Sequence, residues 1–253
     1  MNSVIIGNTG FVGSNLCQQT KFDIEINSKN IGDITGGNFD TIVCAGVSAI
    51  KWKANQDPSA DLLGIKKLTD VLKTVTAKQF VLISTVDVFS DPNGKTEASK
   101  VETEGLHPYG LHRFNLEREL SNHFPACHIL RLPALFGSNL KKNILFDLAH
   151  KNMLEKINPA SSFQWYPLNR LWSDICSMTD AQLPLVHLAV EPIATSKILS
   201  EFFADVEVGS DAAPVAHYNF HTQFAEHFGG VSPYIMPSQK VLAEIGKWVS
   251  ENK

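Results

Sequence analysis

The sequence predicts an α/β protein built on a doubly wound parallel sheet, with a small mixed lobe after it. Apolar runs of strand length alternate with amphipathic runs of helix length as far as Gly137, and a glycine-rich turn follows the first run. Because parallel strands need long crossover connections, which helices supply, this alternation indicates a parallel sheet. Beyond Gly137 the alternation loosens. We therefore predict a dinucleotide-binding part over 1–137 and a smaller substrate-binding part over 138–253, some of which packs back on the first.

The elements of the first part follow in a regular order. The predicted strand SVIIG precedes the helix FVGSNLCQQTK, and the strands FDIEIN and FDTIVCAG come next. Apolar residues at helical spacing, among them Ile65 and Leu68, predict a helix over 58–77. A buried strand over 79–85, a helix from about Tyr109 to His123 and a strand over 127–133 complete this part.

The second part has weaker patterns. Helices are predicted in NILFDLAHKN, ATSKILSEFFADV and SQKVLAEIGKWVSENK, with Thr195 or Ser196 as the N-cap of the second. Short strands are predicted in FQWYPL and PLVHLAV.

Composition limits the classes of partner and compartment. A net charge of −4 and a pI near 6.1 give no reason to expect nucleic acid or an anionic membrane as partner. The four cysteines form no CxxC pair and the nine histidines show no ligand spacing, so we expect neither a disulfide framework nor a metal site. The absence of a signal-like or spanning segment favours a cytoplasmic protein.

The glycine turn is the first candidate site. Gly7 allows a tight turn off the strand, Gly10 lets the backbone approach a pyrophosphate, and Gly13 lets the helix pack close to the sheet. The helix N-terminus then offers N–H groups and a partial positive charge to phosphate. The alternative is a strand-to-helix turn without a ligand. The predicted cofactor-binding residues here are Gly7, Asn8, Thr9, Gly10, Phe11, Val12 and Gly13.

The spacing GxxGxxG in GNTGFVGSNL resembles the extended short-chain dehydrogenase/reductase superfamily, the NAD-dependent epimerases and dehydratases. Three more stretches are similar to its landmarks in the same order: FVLISTVDVF (80–89), HPYGLHRFNLE (107–117) and LRLPALFG (130–137). The resemblance implies a Rossmann-type fold and an NAD(P)-dependent oxidoreductase, epimerase or dehydratase. Its substrate would be a carbonyl or hydroxyl compound such as a nucleotide sugar, and homodimers are frequent in the family.

The resemblance also assigns candidate catalytic residues. Tyr109 stands in the place of the acid/base tyrosine, and Thr85 in that of the residue that polarises the substrate oxygen. The family has lysine four residues after the tyrosine, where this chain has Arg113. A cation at that spacing lies one helical turn away and lowers the pKa of a phenol, but a guanidinium is larger than an ammonium and cannot be assumed to reach the same ribose hydroxyls.

Two alternatives follow from these residues. Asp87 occupies the place of a dehydratase carboxylate, although capping of the loop that begins there explains it better. The exchange of lysine for Arg113 raises the hypothesis of a catalytically silent NAD(P)-binding regulatory or redox-sensing protein. A flavin or other nucleotide is a third, weaker interpretation.

Coenzyme preference is predicted from the end of the second strand. Asn27, Ser28 and Lys29 stand where an NAD-binding protein usually has an acidic residue, so a 2′-phosphate is favoured and NADP is preferred to NAD. The further predicted cofactor contacts are Cys44, Ala45 and Gly46 after the next strand, Ser84, Tyr109, Arg113 and Pro133. Cys44 is expected to be a buried filler rather than a nucleophile.

Overall fold

The structure, a computed structural model, describes residues 2–252, whose contacts separate into two units. The first unit contains residues 2–91, 97–132 and 169–187, and the second contains 92–96, 133–168 and 188–252. The strands are β1 (Ser3–Ile6), β2 (Ile24–Ile26), β3 (Asn38–Cys44), β4 (Thr76–Thr85), β5 (Cys127–Leu132), β6 (Ala134–Phe136), β7 (Ser162–Phe163), β8 (Trp165–Pro167), β9 (Leu185–His187) and β10 (Ile193–Ala194). The helices are α1 (Phe11–Gln19), α2 (Lys51–Gln56), α3 (Pro58–Leu72), α4 (Pro108–His123), α5 (Ile144–His150), α6 (Leu171–Asp180), α7 (Thr195–Phe202) and α8 (Ser238–Asn252).

A six-stranded parallel sheet forms the centre of the first unit, in the order β2-β1-β3-β4-β5-β9. The predicted α/β fold with a parallel sheet is therefore confirmed. The strand order reverses at β1, which has β2 on one side and β3 on the other. In open parallel sheets, ligands bind beyond the carboxyl ends of the strands at such a reversal. The candidate residues after β1, β3 and β4 lie at this edge.

Both faces of the sheet are buried. Alternate strand residues such as Ile42 and Leu82 form one core cluster with Leu68 of α3 and Leu116 of α4. Their neighbours in sequence point to the opposite face, where Val43 is fully buried as well. Near-continuous apolar strands of this kind are expected where helices cover both faces of a parallel sheet.

Local signals explain where the helices begin and end. The Asp57 side chain caps α3 by accepting a hydrogen bond from the Ala60 N–H at 3.0 Å, and Pro58 fits the first helical position. The helix predicted over 58–77 ends earlier, at Leu72. The reason is tertiary: Thr76 already pairs with Asn38 in the sheet, and this pairing overrides the continued helical spacing.

The second unit contains two small sheets. Strands β6 and β8 pair in parallel, and β7 pairs antiparallel with β10. The prediction of Thr195 or Ser196 as a helix cap is wrong, since α7 begins at Thr195 with Ala194 as its N-cap and no side-chain cap. Thr195 is fully buried instead. Within residues 2–252, no helix has the length and apolar character needed to span a membrane.

Candidate functional site

The glycine turn between β1 and α1 has no room for side chains. Gly7 has φ +93°, and a Cβ there would lie 2.4 Å from the Ala45 carbonyl oxygen. A Cβ on Gly13 would lie 2.1 Å from the Gly7 carbonyl oxygen, which shows how closely the helix approaches the turn. Gly10 is exposed and its backbone N–H donates to the Gly7 carbonyl at 2.9 Å. The turn is thus fixed by backbone packing, with Gly10 on its open side.

The start of α1 is suited to an anion. Within residues 2–252, no side chain caps the first turn of α1, and that turn carries no acidic residue. Asn8 donates through Nδ2 to Glu25 Oε2 at 2.9 Å, while its Oδ1 is buried and accepts no hydrogen bond from the described residues. A buried acceptor without a donor is unfavourable, so a ligand hydroxyl at this position would satisfy it. The turn and its orphan acceptor fit the phosphate-and-ribose part of a dinucleotide.

The residues after β2 form an exposed turn. Asn27 Oδ1 accepts from the Lys29 N–H at 2.9 Å, and Asn30 Oδ1 accepts from the Asn27 N–H at 2.7 Å. Ser28 and Lys29 are exposed, so their side chains are accessible to a ligand.

The end of β3 supports the turn from the opposite side. The Ala45 N–H donates to the Ile6 carbonyl at 2.8 Å, and a Cβ on Gly46 would lie 2.9 Å from Ile6 Cγ2. Cys44 is fully buried, and burial raises the pKa of its thiol to about 11. Cys44 therefore packs in the core as a small buried side chain and is not suited to act as a nucleophile.

The first turn of α4 holds Tyr109 in place. The His107 ring accepts a hydrogen bond from the Gly110 N–H at 3.0 Å, and Asn55 Oδ1 of α2 accepts from the Tyr109 N–H at 2.9 Å. A Cβ on Gly110 would lie 2.2 Å from the Asp87 carbonyl oxygen, so the helix start packs directly on the loop after β4. Neither His107 nor Asn55 belonged to the predicted site, because each acts through a backbone group that no motif marks.

Thr85 and Tyr109 meet at the carboxyl end of β4. The Thr85 hydroxyl lies close enough to the Tyr109 phenol to lower its pKa, and Tyr109 is 8% exposed. Burial raises the pKa of the Tyr109 phenol, and Asp87 raises it further, whereas Arg113, Thr85 and Lys51 lower it in part. The expected net lowering of this pKa is therefore not found. The Thr85 Oγ1 also accepts from the Asp87 N–H at 3.1 Å.

Arg113 is held in a buried ion pair. Its Nη1 and Nη2 atoms contact the two carboxylate oxygens of Asp61 in α3 at 2.5 and 2.8 Å, and Nη2 also donates to the Ser48 carbonyl at 2.6 Å. The Arg113 Cζ lies 4.0 Å from the centre of the Tyr109 ring, within cation–π range. Asp61 also contacts His112 Nδ1 at 2.7 Å. Asp61 was not among the predicted site residues, because it lies 52 positions from Arg113 and no motif links the two.

Burial of the Asp61 carboxylate raises its pKa, but the hydrogen bonds from Arg113 and His112 outweigh burial, so that the pKa is lowered. With its side chain 6% exposed and that of Arg113 4% exposed, the pair is shielded from water. The guanidinium therefore lies against the ring of Tyr109 with Asp61 as its counter-ion.

Asp87 belongs to a second ion pair. Its Oδ1 lies 2.8 Å from Lys51 Nζ of α2, and the side chains are 20% and 39% exposed. The side chain of Thr85 caps the short 3₁₀ turn Val86–Val88, in which Asp87 lies. Lys51 was not among the predicted site residues, because an isolated lysine in a short helix has no motif around it.

Ser84 faces a buried charge network on the same helix. Its hydroxyl donates to Glu117 Oε1 at 2.5 Å, and Glu117 Oε2 pairs with Arg131 Nη2 of β5 at 2.6 Å. These contacts fix α4 against β4 and β5, which gives Ser84 a structural role. Pro133 follows β5 directly and belongs to the second unit. Among residues 2–252, no group of three potential metal ligands occurs.

A comparison with protein-family models found no match, and a search of curated proteins found no relative. Solved structures do match. A dTDP-4-dehydrorhamnose reductase from Bacillus anthracis in complex with NADP has a TM-score of 0.76 at 17% identity, over 98% of this chain and 97% of that one. A UDP-N-acetylglucosamine 4-epimerase from Methanobrevibacter ruminantium in complex with UDP-N-acetylmuramic acid has a TM-score of 0.75 at 12% identity, over 98% and 97%.

A UDP-glucuronic acid 4-epimerase variant from Bacillus cereus, in complex with a fluorinated UDP-glucuronic acid and NAD, has a TM-score of 0.71 at 12% identity, over 99% of both chains. These proteins belong to the superfamily that the four motifs resemble. The chain has the fold of the extended short-chain dehydrogenases/reductases. The fold expected from the motifs is confirmed, and within this fold the glycine turn and the Thr85–Tyr109 pair occupy the carboxyl edge of the sheet.

Proposed function

We propose that the protein is an NAD(P)-dependent oxidoreductase or epimerase that acts on a carbonyl or hydroxyl group of a nucleotide sugar or a similar small molecule. The proximity of Thr85 to Tyr109 carries this proposal, since it puts a proton donor and a second polar group together beside a turn that fits a dinucleotide. The similar solved structures are reductases and epimerases of nucleotide sugars.

Within this class, the site is best suited to carbonyl reduction. A bound reduced nicotinamide would supply the hydride. Tyr109, kept protonated by its raised pKa, would donate its proton to the substrate oxygen, which Thr85 would polarise. Arg113, against the ring of Tyr109, would stabilise the phenolate left behind. The exchange of lysine for arginine thus retains a cation, so we favour an active enzyme over a silent binding protein.

NADP is the proposed coenzyme, because exposed Ser28 and Lys29 at the end of β2 offer a hydroxyl and a cation to a 2′-phosphate. Glu25, the acidic residue of that strand, is hydrogen-bonded to Asn8. The proposed contacts of the coenzyme are the residues from Gly7 to Gly13, the residues from Cys44 to Gly46, and Tyr109. A homodimer, as is frequent in this superfamily, and a cytoplasmic location remain part of the proposal.

The experiment is a calorimetric titration of the purified protein with NADP and with NAD, followed by a turnover assay over a panel of 4-keto and 4-hydroxy nucleotide sugars. We expect tighter binding of NADP. Tyr109→Phe should retain binding and lose turnover by about 100-fold or more, the usual contribution of a general acid. Failure of both coenzymes to bind would contradict the proposal, and tighter binding of NAD would reverse the coenzyme assignment.

A further inference from the structure

Two ion pairs flank the helix start that holds Tyr109, and only one of them lies in a dry environment. Asp61 and Arg113 are almost completely buried, whereas Asp87 and Lys51 remain partly exposed. Asp87 is fixed close to the proposed acid by two contacts: its N–H donates to Thr85 Oγ1, and its carbonyl packs on Gly110, the residue after Tyr109. A carboxylate held there opposes any ionisation of the phenol.

We propose that Lys51 is a positioning residue of this site. Its ion pair with Asp87 neutralises that carboxylate, so that Asp87 does not act as a second base. Tyr109 can then give up its proton. The proposal rests on the function proposed above and deepens it. The supporting observations are the 2.8 Å contact between Lys51 Nζ and Asp87 Oδ1 and the anchoring of α2 to α4 through Asn55 and the Tyr109 N–H. This anchoring fixes the short helix that carries Lys51 against the turn that carries the phenol.

The charges around the phenol have opposing effects. Arg113 and Lys51 lower the pKa of Tyr109, and Asp87 raises it, while burial is the largest cause of its raised value. His107, at a ring-to-ring distance of 6.3 Å from Tyr109, has its own pKa lowered by burial and by Lys51, so it adds little charge at neutral pH. The guanidinium of Arg113 is already paired with Asp61. Lys51 is the cation paired directly with Asp87, so its removal takes away that positive charge next to the carboxylate.

The proton transfer balances without a further reactant. The phenol O–H bond of Tyr109 would break as a new O–H bond formed on the substrate oxygen, while a bound reduced coenzyme would supply the hydride to the carbonyl carbon. The phenolate that remains has Arg113 at its ring face and Lys51 nearby, and a proton from solvent restores the phenol. This sequence gives Asp87 no proton to transfer, which distinguishes the site from that of a dehydratase with a carboxylate base.

The test measures the ionisation of Tyr109 directly. With 3-fluorotyrosine incorporated at position 109, the ¹⁹F shift is followed against pH in the otherwise unchanged chain and in Lys51→Met, Asp87→Asn and the double variant. We expect the midpoint to rise in Lys51→Met, to fall in Asp87→Asn and to return close to the original value in the double variant. Lys53→Met, which removes an exposed ammonium of the same helix, is the matched control and should leave the midpoint unchanged.

Two readouts separate the possible failures. An unchanged midpoint in Lys51→Met, or no return in the double variant, would overturn the role of Lys51 while NADP binding and turnover of the original protein still support the proposed function. Loss of coenzyme binding in the original protein would instead defeat the proposed function. If Lys51→Met does not fold, Lys51→Ala together with Lys51→Arg replaces it: the proposal requires a raised midpoint in the first and an unchanged one in the second.

Discussion

The glycine turn and the start of the tyrosine helix are built in different ways, although both lie at the carboxyl edge of one sheet. Backbone packing fixes the turn, where a Cβ on Gly7 or Gly13 would meet main-chain atoms. Side chains from other elements fix the tyrosine helix: Asn55 of α2 and Asp61 of α3. The first region should therefore be sensitive to added volume, and the second to removed charge.

The largest expected effect is on the buried ion pair of the tyrosine helix. Asp61→Asn removes the counter-ion of Arg113 and leaves a guanidinium buried without a compensating charge. We expect the free energy of unfolding to fall by about 3–5 kcal/mol. Urea denaturation followed by circular dichroism measures this change.

Asp70 provides the matched control, since it lies on the same helix and pairs with Lys66 in solvent. Asp70→Asn should cost less than about 1 kcal/mol, because exposed ion pairs contribute little. Equal losses from the two substitutions would show that the Asp61–Arg113 pair has no special importance, and the contrast between the two regions would fail.

A smaller loss is expected from added volume in the glycine turn. Gly13→Ala places a Cβ 2.1 Å from the Gly7 carbonyl oxygen, so the start of α1 must move. We expect a loss of about 1–3 kcal/mol in stability, together with weaker NADP binding, since the turn and the helix N-terminus change position. Thermal denaturation and calorimetric titration measure the two effects.

Gly64 in α3 is the control for this change, because a Cβ there meets no atom within 4 Å. Gly64→Ala should leave coenzyme binding unchanged and raise stability by up to about 1 kcal/mol through its better helix propensity. Full retention of stability and NADP binding in Gly13→Ala would contradict the backbone origin of the turn.

The difference between a turn fixed by backbone packing and a helix fixed by side chains of distant elements also explains what could be predicted from the sequence. The strands and the glycine turn follow from local spacing, and Gly13 acts through the backbone of the same turn, where a Cβ would meet the Gly7 carbonyl. Tyr109 was assigned by the resemblance of HPYGLHRFNLE to the family motif. The partners of Arg113 could not be predicted in this way. Asp61 and Ser48 lie 52 and 65 positions from it, and only the packing of α3 and of the loop after β3 brings them together. The end of α3 at Leu72 was missed for the same reason, since pairing of β3 with β4 decides it.

The smallest expected effect is the pH dependence of the buried pair. The pKa of Asp61 is lowered in the folded protein, so its contribution to stability is present above the unfolded value of about 3.9 and is lost as the pH falls through the folded value. The stability difference between the original protein and Asp61→Asn should therefore be constant from neutral pH down to about 4 and shrink below that. Urea denaturation at a series of pH values measures the difference. A stability difference that stays constant through the acid range would mean that Asp61 stabilises the tyrosine helix by packing and neutral hydrogen bonds. The charge of Arg113 would then need no counter-ion there.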